Sequence, residues 1–208
     1  GRADYTRMVE RMDEGIGQIL KALEEKGLVD NTLVIFASDN GGDRLGRNLP
    51  LRGQKGTLWD GGIRVPCIAR WPNLLPAGTV SPQAAITMDL SATLLSAARV
   101  KPTRRMDGMS LLAFLSGWKP PVEQTFVWRD NWHDQKALRW GHWKWLKIKG
   151  EEYLFNLEED PGEQENRTER NIDIVYWLRE IYRQWESAMP HSQTVFGDDL
   201  RNPGAEKQ

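Results

Sequence analysis

Apolar residues recur at intervals of three and four along the first part of the chain, and charged residues fill the positions between them. This spacing is typical of an amphipathic helix, and it predicts a helix over residues 6–26 that ends at Gly27. We expect its apolar stripe to pack on the sheet that follows in the sequence. The stripe consists of Val9, Met12, Ile16, Ile19, Leu20 and Leu23.

A continuous apolar run follows at residues 33–37, and it is rich in β-branched and aromatic residues. Such a run predicts a parallel strand that is buried on both faces. A second apolar segment, at residues 65–71, predicts another strand. Residues 87–98 then predict a helix that Thr87 or Asp89 would cap.

The hydrophobic period changes after residue 123, where short segments are separated by Asn, Asp or Gly turns. This pattern predicts a small antiparallel sheet. Its strands are expected at residues 125–129, 136–140, 143–147 and 152–156. Alternation within residues 143–148 directs aromatic and aliphatic side chains toward a helix and the lysines mostly toward water. The helix that covers this face is predicted at residues 172–189.

Together these elements indicate an α/β fold, with a mixed sheet flanked by helices and a small C-terminal antiparallel sheet packed on a helix. Glycine and prolines at residues 117–121 break the chain between the two parts. We therefore divide the sequence into an α/β part at residues 1–118, a sheet-and-helix part at residues 119–190 and a tail at residues 191–208.

The composition excludes several classes of partner. The chain carries 28 basic and 29 acidic residues, so its net charge of −1 gives no reason to expect a nucleic-acid partner. Its one cysteine excludes a framework of disulfides within the chain. No apolar run approaches the roughly 20 residues of a membrane span, so we expect none.

Candidate chemistry is concentrated between the first two predicted strands. Asp39 and Asn40 follow the first strand directly, and hard cations prefer such oxygen ligands. Lys55 lies between two glycines, which permit close approach of a ligand to a compact positive charge. Each piece alone has an ordinary alternative, a common Asx-Gly turn for the pair and a solvated surface residue for the lysine.

Taken in order, the motifs of this region resemble those of the sulfatase family within the alkaline-phosphatase superfamily. They are SDNGG at residues 38–42, LRGQKGTLWDGG at 51–62, IRVP at 63–66 and RWP at 70–72. Further matches are DGMSLL at residues 107–112, YLFNL at 153–157 and DPGE at 160–163. The resemblance covers about residues 5–190, which is nearly the whole chain.

The resemblance implies an alkaline-phosphatase-like fold and a sulfuric ester hydrolase. It implies that Asp39 and Asn40 are two ligands of a divalent cation, usually Ca²⁺, and that Lys55 is a catalytic residue that binds the sulfate oxygens. Arg52 and Asp60 are near these residues in sequence, and we expect both to order the loop. A periplasmic or secreted location also agrees with the family.

The nucleophile of the family is missing from this sequence. Sulfatases make formylglycine from a Cys-x-Pro/Ala-x-Arg motif in their N-terminal half, whereas Cys67 is followed by Ile-Ala-Arg and is predicted to be a buried structural thiol. We therefore expect the chain to be a C-terminal portion that is inactive by itself. Apolar surface left uncovered would favour self-association or pairing with the N-terminal part.

Some alternatives remain open at this stage. His133 lies on a predicted loop, where it would either contact the organic part of a sulfate-ester substrate or be an ordinary exposed turn residue. The complete protein could instead hydrolyse phosphonate or phosphate esters, as other members of the superfamily do. A third alternative is a non-catalytic, sulfatase-like domain that binds sulfated glycans or a partner chain.

Overall fold

The computed structural model describes residues 1–189, so the predicted tail at residues 191–208 lies outside the described residues. The helices are α1 (Arg2–Glu25), α2 (Asp60–Ile63), α3 (Thr87–Ala97), α4 (Leu112–Leu115) and α5 (Ile172–Ala188). The strands are β1 (Val34–Ala37), β2 (Cys67–Arg70), β3 (Thr125–Asp130), β4 (Gln135–Trp140), β5 (Trp143–Ile148) and β6 (Glu151–Asn156). The α/β fold class is confirmed.

Strand β1 differs from its prediction in both direction and burial. It pairs with β2 in antiparallel register, from Val34 opposite Arg70 to Ala37 opposite Cys67, and all four of its residues are half-buried. The expectation of a parallel strand buried on both faces is therefore wrong for the described residues. The long loop between β1 and β2 returns the chain in the opposite direction, and a two-stranded sheet encloses neither face fully.

Cys67 is exposed, so the prediction of a buried thiol is also wrong. It begins β2, a strand whose pattern of burial is almost entirely exposed, because among residues 1–189 only β1 pairs with it. The apolar sequence of β2 predicted a strand correctly, but it did not predict that Cys67 is exposed.

Helix α1 begins earlier than predicted, and its chain direction changes at Gly27, which has a φ of 64°. None of its residues is fully buried. Three apolar side chains are half-buried, namely Ile16, Leu20 and Leu23. Several others are exposed, including Met8, Val9, Met12 and Ile19. The expected packing of the stripe is thus only partly present in the described chain.

The C-terminal sheet agrees with its prediction. Strands β3 to β6 follow one another as antiparallel neighbours, and each strand boundary lies within a residue of the predicted one. A tight turn joins β4 to β5, with Trp140 paired with Trp143 and Gly141 at a φ of 55°.

Both faces of this sheet are covered. Helix α5 packs on one face and forms a core with its strands, built from Leu138, Trp145, Leu154, Val175, Leu178 and Tyr182. The loop before α2 packs on the other face through Leu58, which lies against Ala137, Leu146, Phe155 and Leu157. Lys144 belongs to this second face and is fully buried, so the prediction that the β5 lysines face water is wrong at this position.

Helix α3 begins after Ile86, so neither Thr87 nor Asp89 is its N-cap residue, but Asp89 binds the start of the helix from the first turn. The Asp89 carboxylate accepts hydrogen bonds from the backbone N–H of Ile86 at 3.0 Å and of Met109 at 2.8 Å. It therefore ties the start of the helix to the segment before α4. Among the described residues, no helix is both long enough and apolar enough to cross a bilayer.

Candidate functional site

The turn after β1 presents the predicted metal ligands at the surface. Asp39 is exposed and Asn40 is half-buried. The Ser38 hydroxyl donates to the Asn40 carbonyl at 2.8 Å, which holds the backbone of the turn. The carboxylate and the amide are therefore adjacent in sequence on an ordered turn, although the pair lies after an antiparallel strand and not after a parallel one.

The structure brings the loop that carries Lys55 against this turn. The Lys55 backbone N–H donates to the Gly42 carbonyl at 3.1 Å. The Asn48 side-chain amide donates to the same carbonyl at 2.8 Å and to the Gly53 carbonyl at 3.2 Å. Lys55 is exposed. The turn and the lysine loop thus share one hydrogen-bonded framework, and Asn48 is a residue of this framework that the sequence analysis missed.

The paired glycines of both motifs pack backbone against backbone. The Gly41 N–H donates to the Gly62 carbonyl at 2.8 Å. A Cβ atom built on Gly41 would lie 1.8 Å from the Gly61 carbonyl oxygen, which is far inside contact distance. The DNGG and WDGG motifs are therefore glycine-rich because two backbone segments meet there.

Arg52 makes the loop-ordering contacts expected of it. Its guanidinium lies 3.7 Å from the centroid of the Trp59 ring and donates to the Glu163 carbonyl at 2.9 Å. The Arg52 carbonyl accepts the N–H of Gly61 at 2.6 Å. One residue therefore connects the lysine loop, the segment before α2 and the turn after β6.

Asp60 is held in a buried ion cluster, which we call the Lys144 cluster and which consists of Asp60, Lys144 and Glu163. The Lys144 ammonium lies 2.7 Å from an oxygen of each carboxylate. The second Glu163 oxygen accepts the Asp60 backbone N–H at 2.7 Å. Burial raises the pKa of Glu163, and the nearby Lys144 charge partly offsets that rise.

Little in the sequence indicates this cluster. Lys144 lies between two tryptophans on a strand whose alternation directs it to solvent. Glu163 ends a turn in which Asp160 accepts backbone N–H groups of Gln164 and Glu165 at 2.7 and 2.8 Å. The DPGE motif was visible, but nothing in it indicated a contact with residue 60.

His133 is an exposed residue of the turn between β3 and β4. Its Nδ1 lies 2.7 Å from the Asp130 carboxylate. Partial burial raises the pKa of Asp130, but the hydrogen bonds from His133 and from the backbone of Trp132 outweigh this and lower the pKa overall.

Gln135 connects this turn to the lysine loop and was not singled out from the sequence. Its side-chain amide donates to the Gly56 carbonyl at 3.0 Å and to Asp130 at 3.4 Å, and its oxygen accepts the Leu58 N–H at 3.0 Å. The His133 turn is therefore joined through Asp130 and Gln135 to the residue that follows Lys55.

The donor set available for a cation is small. Among residues 1–189 no group of three or more His, Cys, Asp or Glu side chains could hold a metal ion. Asp39 and Asn40 offer a carboxylate and an amide oxygen, which suit a hard cation such as Ca²⁺. Because Ca²⁺ takes about six to eight oxygen ligands, these two residues fit a partial site and not a complete one.

The described fold is that of known solved structures. It matches Ps i-CgsB in complex with k-i-k-neocarrahexaose with a TM-score of 0.80 at 29% identity, covering 88% of this chain and 43% of that one. It matches the phosphonate monoester hydrolase of Agrobacterium radiobacter with a TM-score of 0.67 at 25% identity, covering 89% and 41%. These matches show that the chain has part of an alkaline-phosphatase-like fold.

The sequence comparisons define the family. Residues 1–100 match the sulfatase family, and residues 54–184 match the family described as N-sulphoglucosamine sulphohydrolase, C-terminal. Steryl-sulfatase of Mus musculus is 38% identical over 148 residues, which are 65% of this chain and 24% of that protein. The chain belongs to the sulfatase family and corresponds to a C-terminal portion of it. It spans about a quarter of the length of this relative.

Proposed function

We propose that this chain supplies part of the metal and sulfate site of a sulfuric ester hydrolase. The observation that supports the proposal is the hydrogen bond from the Lys55 backbone N–H to the Gly42 carbonyl at 3.1 Å, which holds the loop that carries this lysine against the turn that bears Asp39 and Asn40. Sulfate-ester hydrolysis is the activity of the family at large. The nucleophilic formylglycine would come from the part of the complete protein that this chain does not contain.

Each residue has a distinct task in this proposal. The oxygens of Asp39 and Asn40 would bind a divalent cation, which supplies Lewis-acid stabilisation of negative charge when bound. Lys55 would donate hydrogen bonds to the sulfate oxygens and offset the charge that is redistributed as the ester bond breaks. His133, held by Asp130, would contact the organic part of the ester. The chain by itself would therefore be inactive.

Replacing Lys55 by alanine in the complete protein is expected to lower kcat by about 10²- to 10³-fold, as removal of one oxyanion donor typically does. The measurement is steady-state hydrolysis of an aryl sulfate. Lys119→Ala is the matched control, because Lys119 is also exposed but lies in the segment before β3. Turnover by Lys55→Ala equal to that of the parent would refute the assigned role.

Replacing Asp39 by alanine in the complete protein is expected to weaken Ca²⁺ binding by about 100-fold or more, since even indirect partners of metal ligands contribute about 10- to 100-fold. Isothermal titration calorimetry measures this directly. Asp43→Ala is the control, because Asp43 is an exposed carboxylate of the same loop. Equal losses in the two variants, or none in either, would contradict a metal site at Asp39.

A phosphonate or phosphate ester hydrolase is the second candidate, and the structural match to a phosphonate monoester hydrolase favours it. Lys55 and a cation at Asp39 would stabilise a phosphoryl oxyanion by the same electrostatics. Comparing kcat/KM of the complete protein for matched aryl sulfate, phosphate and phosphonate esters decides between the two. Absence of turnover with all three would favour a non-catalytic binding domain.

We also propose that the remainder of the complete protein covers the exposed stripe of α1. The stripe presents the apolar side chains of Val9, Met12 and Ile19 to solvent, and soluble proteins seldom leave such a surface open. In the absence of that remainder, self-association of the chain through this face is the expected alternative.

A further inference from the structure

The Lys144 cluster lies where three separate segments of the chain meet. Asp60 begins α2, Lys144 is on β5, one of the two inner strands of the sheet, and Glu163 is on the turn after β6. Lys144 and Glu163 are fully buried, and Asp60 retains only 3% of its exposure. A buried ion loses its hydration, so such a cluster is stable only with close and well-directed contacts.

Hydrogen bonds continue from this cluster to both halves of the candidate site. The two residues that follow Asp60 are Gly61, whose N–H binds the Arg52 carbonyl at 2.6 Å, and Gly62, whose carbonyl accepts the Gly41 N–H at 2.8 Å. Arg52 leads directly into the lysine loop, and Gly41 follows Asn40. Residues 60–62, which Lys144 anchors through Asp60, are therefore hydrogen-bonded to the loop that carries Lys55 and to the turn that bears Asp39 and Asn40.

Glu163 holds this segment through three separate contacts. Glu163 contacts the Lys144 ammonium with one oxygen, the Asp60 N–H with the other, and the Arg52 guanidinium with its backbone carbonyl. A single buried residue of the C-terminal turn thus fixes both ends of the segment between Arg52 and Asp60, which contains Lys55.

We propose that Lys144 and Glu163 are positioning residues for the reaction, which set the placement of Lys55 relative to Asn40 through the backbone of residues 60–62. Neither side chain reaches the substrate in this scheme. The expected effect on catalysis rests on the proposed function. The expected effect on structure, a fixed backbone at residues 38–62, does not depend on any activity.

The test uses Lys144→Met in the complete protein, which keeps an unbranched side chain one heavy atom shorter and removes the charge. Hydrogen exchange of peptides covering residues 38–62 is expected to become about tenfold faster or more, because local opening of this unit becomes easier. The kcat for aryl sulfate is expected to fall by about 100-fold, as for a misplacement of about 1 Å, with a smaller change in KM.

Lys136→Met is the matched control. Lys136 is on the neighbouring strand of the same sheet and pairs at 2.7 Å with Glu186 on the opposite face, toward α5. The replacement of Lys136 by methionine is expected to leave both kcat and hydrogen exchange at residues 38–62 within about twofold of the parent, since distant sites act independently.

Glu163→Gln is the second variant and decides the matter if Lys144→Met does not fold. It keeps an oxygen acceptor for the Asp60 N–H and removes one ion pair, so we expect the same peptides to exchange faster by a smaller factor. Unchanged exchange at residues 38–62 in the folded variants, or an unchanged kcat per folded molecule, would overturn the proposal. Lack of turnover in the parent would refute the proposed function. Hydrogen exchange would still test whether Lys144 and Glu163 hold the backbone of residues 38–62.

Discussion

Replacing Phe155 by alanine is expected to lower the free energy of unfolding by about 3–5 kcal/mol, the usual cost of removing a buried aromatic side chain. Phe155 is fully buried between the sheet and the loop before α2, and its ring lies 5.6 Å from that of Trp59 and 6.1 Å from that of Tyr153. The remaining cavity would lie directly beneath the segment that carries Lys55. Urea unfolding followed by circular dichroism gives the value.

Leu154→Ala is the matched control for this prediction. Leu154 is the preceding residue of β6, is equally buried and belongs to the core beneath α5. Its replacement is expected to cost about 2–5 kcal/mol, but to accelerate hydrogen exchange in α5 and not at residues 50–64. A cost below about 1 kcal/mol for Phe155→Ala would mean that the loop does not pack on this face as described.

Replacing Gly41 by alanine is expected to cost about 3 kcal/mol, the upper end of the usual range for overpacking. The added methyl group would meet the Gly61 carbonyl oxygen at 1.8 Å, and a backbone atom cannot rotate away as a side chain can. Relief requires the hydrogen bond between Gly41 and Gly62 to lengthen or break. In the complete protein we also expect lower activity, because Asn40 precedes this residue. Thermal unfolding and aryl sulfate turnover measure the two effects.

Gly15→Ala provides the control. Gly15 lies within α1, and a Cβ atom there meets no other atom within 4 Å. Alanine at this position is expected to raise stability by about 0.4–1 kcal/mol, because it restricts the unfolded chain and favours the helix. Similar losses in both variants would show that the response to Gly41→Ala does not report on the contact with Gly61.

The C-terminal half of the fold could be predicted because its information is local. Each strand of the sheet is a short segment bounded by turn residues, and the turn at Gly141 fixes the pairing of β4 with β5. Helix α5 has a wide apolar face with a matching period. Neighbouring strands in sequence are neighbours in the sheet, so no distant contact had to be guessed.

The first half was predicted less well because the contacts that shape it join residues that are distant in sequence. The apolar run at β1 indicated a strand, yet the sequence carried no information on its antiparallel pairing with β2. The periodicity of β5 predicted that Lys144 faces solvent. The two acids that neutralise it, Asp60 and Glu163, lie far from it in the sequence, so the pattern around Lys144 does not reveal them. A charged residue surrounded by tryptophans was the one local sign that this position is buried.

The candidate site follows the same division. Asp39, Asn40 and Lys55 were identified through their motifs, which are contiguous in the chain. Gln135 and Asn48 were missed, because their function is to hydrogen-bond backbone groups of other segments and amide side chains carry no distinctive pattern. Residues that support a site are thus harder to read from one sequence than residues that would contact the ligand.

The Lys144 cluster also limits how freely this architecture can be recombined. A chimera that joins the first half of one relative to the C-terminal sheet of another would take Asp60 from one parent and Lys144 with Glu163 from the other. If the incoming sheet carries an apolar residue at position 144, Asp60 loses its ion pair at 2.7 Å and keeps the longer contact with Arg64 at 3.7 Å, so we expect the junction to be destabilised even when every surface residue is compatible. We therefore expect a working chimera to need residues at positions 60, 144 and 163 whose charges match.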